Sequence, residues 1–233
     1  CYYLLLLKQF KAVIKDEELR LYGLVVLVSI GLITADVWIK AQGAYDTLWQ
    51  TAHHAAFQVS SIITTTGYST ADFNLWPGFS KGILLTLMVV GACAGSTGGG
   101  IKVARVLLIF KSLRRNIRQV LSPRKVMVIR NNGKTVDEKT VANVNAYLAA
   151  YVIIIVVAYL LISIDGFSIG TNLSAVLACF NNIGPGMEAV GPTCNYGAYS
   201  DFSKFILSLA MLAGRLEIFP ILVLFSRDTW KSK

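Results

Sequence analysis

Two apolar runs, Leu21–Ile39 and Val144–Ile164, most constrain what this chain can fold into. A helix of nineteen residues, at about 1.5 Å per residue, covers roughly 28 Å, close to the thickness of the hydrocarbon core of a bilayer. The sequence is 55% hydrophobic and 15% charged, whereas soluble domains are about 45–50% apolar and about 25% charged. These features predict an all-α polytopic membrane protein.

The net charge is +9, and the positions of the basic residues decide how it is interpreted. Most of the 22 Lys and Arg residues lie in three segments between or after apolar runs, at 1–20, 102–139 and 227–233. Enrichment of Lys and Arg in the connections on one side is the positive-inside pattern of membrane proteins. We therefore expect these segments to be cytoplasmic, and their location argues against nucleic acid as a partner.

A short helix followed by a glycine-containing loop occurs twice. Asp46–Ile63 is too polar to face lipid and is followed by Thr64-Thr65-Thr66-Gly67-Tyr68; Thr171–Phe180 is too short to span and is followed by a loop in which Gly184 lies 117 residues after Gly67. Short helix, loop and span, in this order, are typical of a cation selectivity filter, whose backbone carbonyls replace the water around the ion. A Thr run before Gly-Tyr is more often only a turn, but the second copy favours a filter.

The first loop follows the C-terminal end of its short helix, where the partial negative charge of the helix favours a cation. Asp46 is the expected N-cap of the first short helix. The order span, short helix, loop and span predicts two pore repeats, at 21–118 and 144–233, around an axis along the membrane normal. The predicted filter residues are Thr65, Thr66, Gly67, Tyr68, Asn182, Ile183, Gly184 and Pro185.

Gly91–Gly100 contains five glycines, and each costs about 1 kcal/mol relative to Ala in a helix interior. Ile101 follows Gly100, so the Lys-Ser/Thr pair of a nucleotide-binding P-loop is missing. Two interpretations remain, a GxxxG-type helix contact and a broken helix with an irregular loop at mid-membrane. We favour the loop, as a gate below the filter. The predicted gate residues are Gly91, Gly95, Ser96, Thr97, Gly98, Gly99, Gly100 and Arg215.

Arg215 lies near the middle of the predicted last span, Asp201–Phe225. An Arg at this depth costs about 2.5–3.5 kcal/mol on insertion scales unless it faces protein or water. Snorkelling to the membrane surface is the alternative. We expect Arg215 to point inward, toward the glycine-rich loop, with Glu217 or loop carbonyls as its partner. A positive charge beneath a cation filter would act as a barrier or a latch.

The segment 119–143 connects the two predicted repeats on the basic side. The stretch Lys125–Arg130 combines basic residues with Val and Ile, and Asn131-Asn132-Gly133 supplies a turn after it. Together they predict a small cytoplasmic β-hairpin. Docking of a partner or of anionic lipid and a merely solvated loop both remain open for this hairpin. The segment 1–20 is interpreted as the end of a preceding span followed by a cytoplasmic linker.

Four stretches together resemble the Trk/Ktr/HKT family of potassium transport proteins, most closely the C-terminal half of its bacterial TrkH-type members. The matching stretches are Thr65–Tyr68, Gly91–Lys102, Asn182–Gly186 and Ala213–Arg215. The resemblance implies a four-repeat, channel-like pore in one chain, of which this sequence carries the third and fourth repeats and lacks the N-terminal ones. It also implies that Gly67 and Gly184 each provide a quarter of a K⁺ filter, with K⁺ as the permeant ion and Arg215 packed on the gating loop.

The family further implies a homodimer in the bacterial inner membrane, controlled by a cytosolic nucleotide-binding subunit of the TrkA type. The expected function is potassium uptake through a gated, channel-like pore. An ion-coupled secondary transporter (K⁺/H⁺ or K⁺/Na⁺ symport) and a non-conducting membrane subunit that binds a cytosolic regulator are the alternatives. An enzyme is not expected, since the adjacent His53 and His54 point in different directions on a helix. No catalytic residue and no bound cofactor are predicted.

Overall fold

The computed structural model describes residues 10–41, 45–96, 98–122 and 127–215. In these ranges the chain is mostly helical with one small two-stranded sheet, as the sequence predicts. The α-helices are α1 (Phe10–Lys15), α2 (Glu17–Lys40), α3 (Leu48–Ile63), α4 (Gly78–Val89), α5 (Val103–Leu121), α6 (Glu138–Ile162), α7 (Ile169–Phe180) and α8 (Asp201–Arg215). Residues 216–225 of the predicted last span lie outside the described residues.

The two longest apolar helices are α2 and, with its 3₁₀ extension, Glu138–Asp165, and both are long and apolar enough to cross a membrane. Asp16 begins α2 by accepting hydrogen bonds from the N–H groups of Glu18 (2.9 Å) and Leu19 (3.1 Å). The outward faces of both helices carry large exposed side chains, among them Leu27 and Ile153. Apolar side chains that water would contact are the kind of surface that a lipid bilayer covers.

The short helices α3 and α7 end at Ile63 and Phe180, which are again 117 positions apart. Thr47 is the N-cap of α3, because its side chain accepts a hydrogen bond from the N–H of Gln50. The prediction of Asp46 as N-cap is therefore wrong by one residue. Both residue types cap helices well, so the sequence alone did not separate them.

The chain leaves helical geometry between α4 and α5, where the glycine-rich stretch lies. Hydrogen bonds join the two ends of this non-helical stretch. The N–H of Gly91 donates to the carbonyl of Ile101 (2.9 Å), and the N–H of Ile101 donates to the carbonyl of Val89 (3.0 Å). Helix α5 begins at Val103 and not directly after the last glycine. Ile101 is engaged in these bonds and in a parallel bridge with Val90 instead.

The small sheet is shorter than the alternation in the sequence predicts. Strand β1 (Arg130–Asn131) pairs with β2 (Lys134–Thr135) in antiparallel register. Asn132 (φ 49°) and Gly133 (φ 78°) form the two-residue turn, and a hairpin turn with positive φ at both positions matches the twist of the strands. Residues 123–126, which include the start of the predicted Lys125–Arg130 strand, lie outside the described residues.

One hydrophobic core cluster joins the two halves of the described chain. Its members from α2, α3 and α4 include the fully buried Ile33, Val59 and Leu84, and they pack together with Leu177 and Ile183 of the second half. A second cluster holds α6, α7 and α8 together. The shared cluster places the segments that follow α3 and α7 side by side.

Candidate functional site

The first loop, Thr64–Tyr68, reverses the chain at the C-terminus of α3. The N–H of Thr66 donates to the carbonyl of Ser61 (2.8 Å), and the hydroxyl of Ser61 donates to the carbonyl of Tyr68 (2.6 Å). Thr65 (φ 57°) and Gly67 (φ 79°) both have left-handed backbone conformations. A β-branched residue rarely adopts such a φ, so the surrounding structure holds Thr65 there.

The second loop, Asn181–Pro185, has the same backbone geometry at the C-terminus of α7. Asn182 (φ 55°) and Gly184 (φ 105°) are left-handed, and the N–H of Ile183 donates to the carbonyl of Ala178 (2.8 Å). Each of these features lies 117 positions after its counterpart in the first loop. Tyr196 stabilises the second loop, because its hydroxyl donates to the carbonyl of Gly184 (2.7 Å).

The two loops contact each other directly. A Cβ atom at Gly67 would lie 2.0 Å from the carbonyl oxygen of Ile183 and 3.2 Å from Cδ of Pro185. Only glycine leaves room for this approach. A Cβ at Gly184 would meet no atom within 4 Å. Among the hydrogen bonds of the described residues, none is accepted by the carbonyls of Thr66, Gly67 or Ile183.

The glycine-rich segment, residues 90–102 as far as they are described, lies against the first residues of both loops. A Cβ at Gly98 would be 3.0 Å from the hydroxyl oxygen of Thr65, and one at Gly99 would be 2.0 Å from the carbonyl oxygen of Asn181. Glycines at these two positions therefore let one segment contact both loops at once. The structure thus brings the predicted filter and gate residues together, apart from Thr97, which lies outside the described residues.

Two charged side chains hold the glycine-rich segment. The ammonium group of Lys102 donates to the carbonyl of Ser96 (2.8 Å) and to that of Gly98. On the other side, the carboxylate of Glu18, in the first turn of α2, accepts a hydrogen bond from the N–H of Ala94. The segment is thus tied both to the start of α5 and to the start of α2.

The start of α2 is also tied to the β-hairpin. The N–H of Glu17 donates to the side chain of Asn132 (3.0 Å), and the carboxylate of Glu17 forms an ion pair with Lys111 of α5. Lys111 in turn donates to the carbonyl of Arg130 (2.7 Å). Neighbouring residues of α2 therefore connect the hairpin and the glycine-rich segment.

Arg215 reaches a cavity of about 230 Å³ next to the glycine-rich segment. The cavity is lined by Ser96, Gly98, Gly100, Lys102, Arg105, Tyr147, Gly214 and Arg215. The guanidinium of Arg105 stacks 4.0 Å above the ring of Tyr147. Arg215 therefore lies beside the predicted gate, while Glu217, its predicted partner, lies outside the described residues.

The histidines take no part in this site. His54 pairs with the hydroxyl of Thr70 (3.1 Å) and stacks on Tyr45, and His53 lies beside it in an edge-to-face contact. In the described part of the chain, no group of His, Cys, Asp and Glu residues could hold a metal ion.

Several supporting residues were not recognised from the sequence. Asn181 is fully buried and exchanges hydrogen bonds with the hydroxyl of Tyr151 (2.9 and 3.1 Å). Ser61, Tyr196 and Lys102 likewise act on the loops or on the glycine-rich segment through contacts described above. The one signal in the sequence is the position of Lys102, the first cation after the glycines; the others depend on partners distant in sequence.

At the end of the site remote from the glycine-rich segment, Glu188 begins the 3₁₀ turn after the second loop. Its carboxylate accepts hydrogen bonds from the hydroxyls of Ser168 and Thr171 at the N-terminus of α7. These bonds stabilise the charged form and hold the pKa of Glu188 below its ordinary value. The carboxylate also suits the partial positive charge of that helix end.

The family model described as "TrkH: Cation transport protein" matches residues 21–232. The chain belongs to the TrkH family. The TrkH potassium uptake protein of Salmonella typhimurium is 34% identical over 96% of this chain and 46% of its own length. The TrkG protein of Escherichia coli is 35% identical over 97% and 45%, and TrkH of Halomonas elongata is 37% identical over 93% and 44%.

The crystal structure of the potassium transporter TrkH from Vibrio parahaemolyticus is similar to this fold, with a TM-score of 0.84 at 33% identity. The match covers 93% of this chain and 46% of that one. The resemblance to the Trk family is therefore confirmed, and the chain spans about half the length of the TrkH-family relatives that it matches.

Proposed function

We propose that this chain forms two of the repeats around a potassium-conducting pore in the bacterial inner membrane. The contact between Gly67 and the Ile183 carbonyl carries this proposal, since it brings two loops of equal backbone geometry to one place. Potassium would be coordinated by main-chain oxygens of Thr65–Tyr68 and Asn182–Pro185. The relatives named for potassium uptake support K⁺ as the transported ion.

The ends of α3 and α7 support a cation at this place. Both helices direct their C-termini at the loops, where their partial negative charges add. The carbonyls of Tyr68 and Gly184 accept hydrogen bonds from Ser61 and Tyr196, which fixes the loops from behind. The carbonyls of Thr66, Gly67 and Ile183 are those we expect to replace water around the ion.

We propose the glycine-rich segment as the gate of this pore. It lies against both loops and, through the cavity, beside the cations Lys102, Arg105 and Arg215. Two unit charges about 5 Å apart repel each other by roughly 3 kcal/mol at an effective dielectric constant near 20. A potassium ion leaving the loops toward this side would thus meet both a steric and an electrostatic barrier.

A cytosolic nucleotide-binding regulator of the TrkA type would open this gate, and the protein would act as a homodimer. The contacts of Glu17 and Glu18 support a route, because they join the hairpin, α5 and Ala94. Movement of the hairpin or of α5 by a bound regulator would reach the glycine-rich segment over this short distance. The basic residues of α5 and the hairpin would then face the cytoplasm.

Measurement of Rb⁺ uptake tests the proposal. The cells lack their own potassium uptake systems and express the native gene product that carries this sequence. Gly67→Ala combines a left-handed φ with a collision at 2.0 Å. Strain of about 1–2 kcal/mol and overpacking of about 1–3 kcal/mol predict a loss of uptake of at least roughly tenfold. Gly67→Asp should abolish uptake.

Gly31→Ala is the matched control, because a Cβ there would meet no atom within 4 Å and Ala suits a helix. It should leave uptake at the wild-type level. Uptake by Gly67→Asp equal to that of the wild type, at equal amounts of protein in the membrane, would contradict a pore at these loops.

A further inference from the structure

Asn74 joins the connection that follows the first loop to the connection that follows the second loop. Its side-chain oxygen accepts a hydrogen bond from the N–H of Glu188 (2.8 Å), and its side-chain nitrogen donates to the carbonyl of Glu188 (3.0 Å). A single amide thus satisfies both main-chain groups of a residue 114 positions away. We call this pair of bonds the amide clamp.

The residues around the amide clamp are closely packed and hydrogen-bonded. A Cβ atom at Gly191 would lie 2.0 Å from the side-chain nitrogen of Asn74, so glycine is required for the approach. On its own side, Asn74 is held because its N–H donates to the carboxylate of Asp72 (2.9 Å) and because the neighbouring Phe73 is fully buried. The amide therefore projects from a rigid turn.

Glu188 is equally constrained. It has a left-handed backbone (φ 54°), which few residues of its type adopt without support. Its carboxylate is bonded to Ser168 and Thr171, and the N–H of the preceding Met187 donates to the hydroxyl of Ser174 (2.9 Å). Glu188 is thus fixed to α7, only three residues after Pro185 of the second loop.

These contacts close a ring through the site. The first loop leads along the chain to Asn74, the clamp leads to Glu188, and the chain leads back through Pro185 to Ile183, whose carbonyl lies against Gly67. Since the ring contains both loops, we expect a shift of Glu188 relative to Asn74 to move one loop relative to the other.

We propose that Asn74 is a positioning residue that sets the spacing of the two loops and so the preference of the pore for potassium over sodium; this rests on the proposed function. Discrimination between two ions depends on the number and arrangement of the coordinating oxygens. Functional geometries of this kind must be held within about 0.5 Å by a supporting shell. Asn74 touches no ion itself and acts through Glu188.

The test measures Rb⁺ uptake by the native gene product with and without excess Na⁺, together with the amount of protein in the membrane. Asn74→Leu keeps the size of the side chain and removes both bonds of the clamp. We expect uptake to become more sensitive to Na⁺ by about threefold or more, the size of effect that one or two lost hydrogen bonds produce in an equilibrium.

Two further variants keep the proposal testable if Asn74→Leu fails to fold. Gly191→Ala, whose backbone conformation Ala tolerates, displaces the Asn74 side chain and should raise the Na⁺ sensitivity in the same direction. Asn74→Asp keeps the acceptor for the N–H of Glu188 but places a second acceptor against the Glu188 carbonyl, so it should also raise the Na⁺ sensitivity. The double variant Asn74→Leu/Gly191→Ala should resemble Asn74→Leu, because both changes act on one clamp.

Thr193→Val is the matched control. Its hydroxyl makes another bond between the same two connections, to Asp72 at 3.3 Å, farther along the chain from the second loop. Its Na⁺ sensitivity should equal that of the wild type. If the Asn74 and Gly191 variants take up less Rb⁺ but keep the wild-type sensitivity to Na⁺, the clamp only stabilises the fold and the inference is wrong. If the wild type takes up no Rb⁺, the proposed function fails and the inference with it.

Discussion

The two halves of the molecule begin alike and then diverge. After α3 and after α7 the chain forms the same loop, with left-handed residues at Thr65 and Gly67 and again at Asn182 and Gly184. The helix that follows is interrupted after Val89 in the first half, whereas α8 continues unbroken to Arg215. Loops of equal geometry are thus followed by helices of different described length, and the first of them ends where the glycine-rich segment begins.

The glycines at the point of divergence have different neighbours. A Cβ at Gly91 would lie 2.2 Å from the carbonyl oxygen of Gly99, which belongs to the same glycine-rich segment. A Cβ at Gly214 would lie 1.6 Å from the carbonyl oxygen of Phe180, the last residue of another helix. Gly91 thus allows a segment to fold back on itself, while Gly214 allows α8 to pack against α7.

The loops also differ in how their first residue is held. The hydroxyl of Thr64 donates to the carbonyl of Ser60 in its own helix (2.6 Å). Asn181, at the corresponding position, is held by Tyr151 of α6. The first residue of the first loop is thus held by its own helix, and that of the second loop by a neighbouring helix.

Shortening the glycine-rich segment of the first half should have the largest effect on Rb⁺ transport. Removal of residues 95–99 leaves a four-residue turn between the joined ends at Gly91 and Ile101. Because the contacts with Thr65 and Asn181 are lost, we expect the basal Rb⁺ flux to rise by roughly tenfold, equivalent to about 1.4 kcal/mol of barrier.

Ser96→Ala, which keeps the length of the segment, is the control and should change the flux far less. It removes only the bond between the Ser96 hydroxyl and the N–H of Gly98 (3.0 Å). Equal fluxes for the shortened and the wild-type protein would show that the segment does not obstruct the pore.

Replacement of Gly214 by Ala should mainly lower the thermal stability, whereas replacement of Gly91 by Ala should mainly change the Rb⁺ flux. Gly214→Ala collides with the end of α7, and overpacking of about 1–3 kcal/mol should lower the thermal midpoint by roughly 2–12 °C. Gly91→Ala should change the midpoint by less than half as much, because its neighbour is a loop that can move, while raising the flux about threefold.

Thermal unfolding in detergent and Rb⁺ flux, measured on both variants, check this difference. A larger loss of stability in Gly91→Ala than in Gly214→Ala would contradict the view that the neighbours of Gly91 give way more easily than those of Gly214.

The smallest effect concerns the pH dependence of stability at Glu188, after the second loop. Because the pKa of Glu188 is lowered in the folded protein by the hydroxyls of Ser168 and Thr171, its stabilising contribution is complete above its ordinary value of 4.5. It is lost as the pH falls through the lower, folded-state pKa. Lys81 favours the charged form in the same direction.

We therefore expect the difference in thermal midpoint between the wild type and Glu188→Gln to be present at pH 6 and to shrink as the pH approaches 3. The same midpoint difference at both pH values would mean that the charge of Glu188 contributes nothing to holding the second loop.

The elements whose signal is local were predicted well. Apolar runs of span length predicted α2 and α6, and the glycines after Val89 predicted the interruption, because these depend on side chains within a few residues. The error in the cap was small and also local, since Thr47 caps α3 instead of Asp46.

The support of the site could not be predicted in this way. Asn74 with Glu188, Tyr196 with Gly184, and Glu18 with Ala94 pair residues whose separation along the chain carries no periodic signal. Asn and Tyr at such positions are equally compatible with solvated loops. Their roles follow only from the packing of elements distant in sequence.

By itself, the sequence determined the helical spans, the two glycine loops and the family, because these rest on hydrophobicity, residue spacing and backbone freedom at single positions. Only the tertiary structure decided that Gly67 lies against the Ile183 carbonyl, that Gly98 and Gly99 reach both loops, and that one amide joins the connections that follow the two loops. Such contacts depend on how buried surfaces of different helices fit together, and that fit is a property of the whole packed chain.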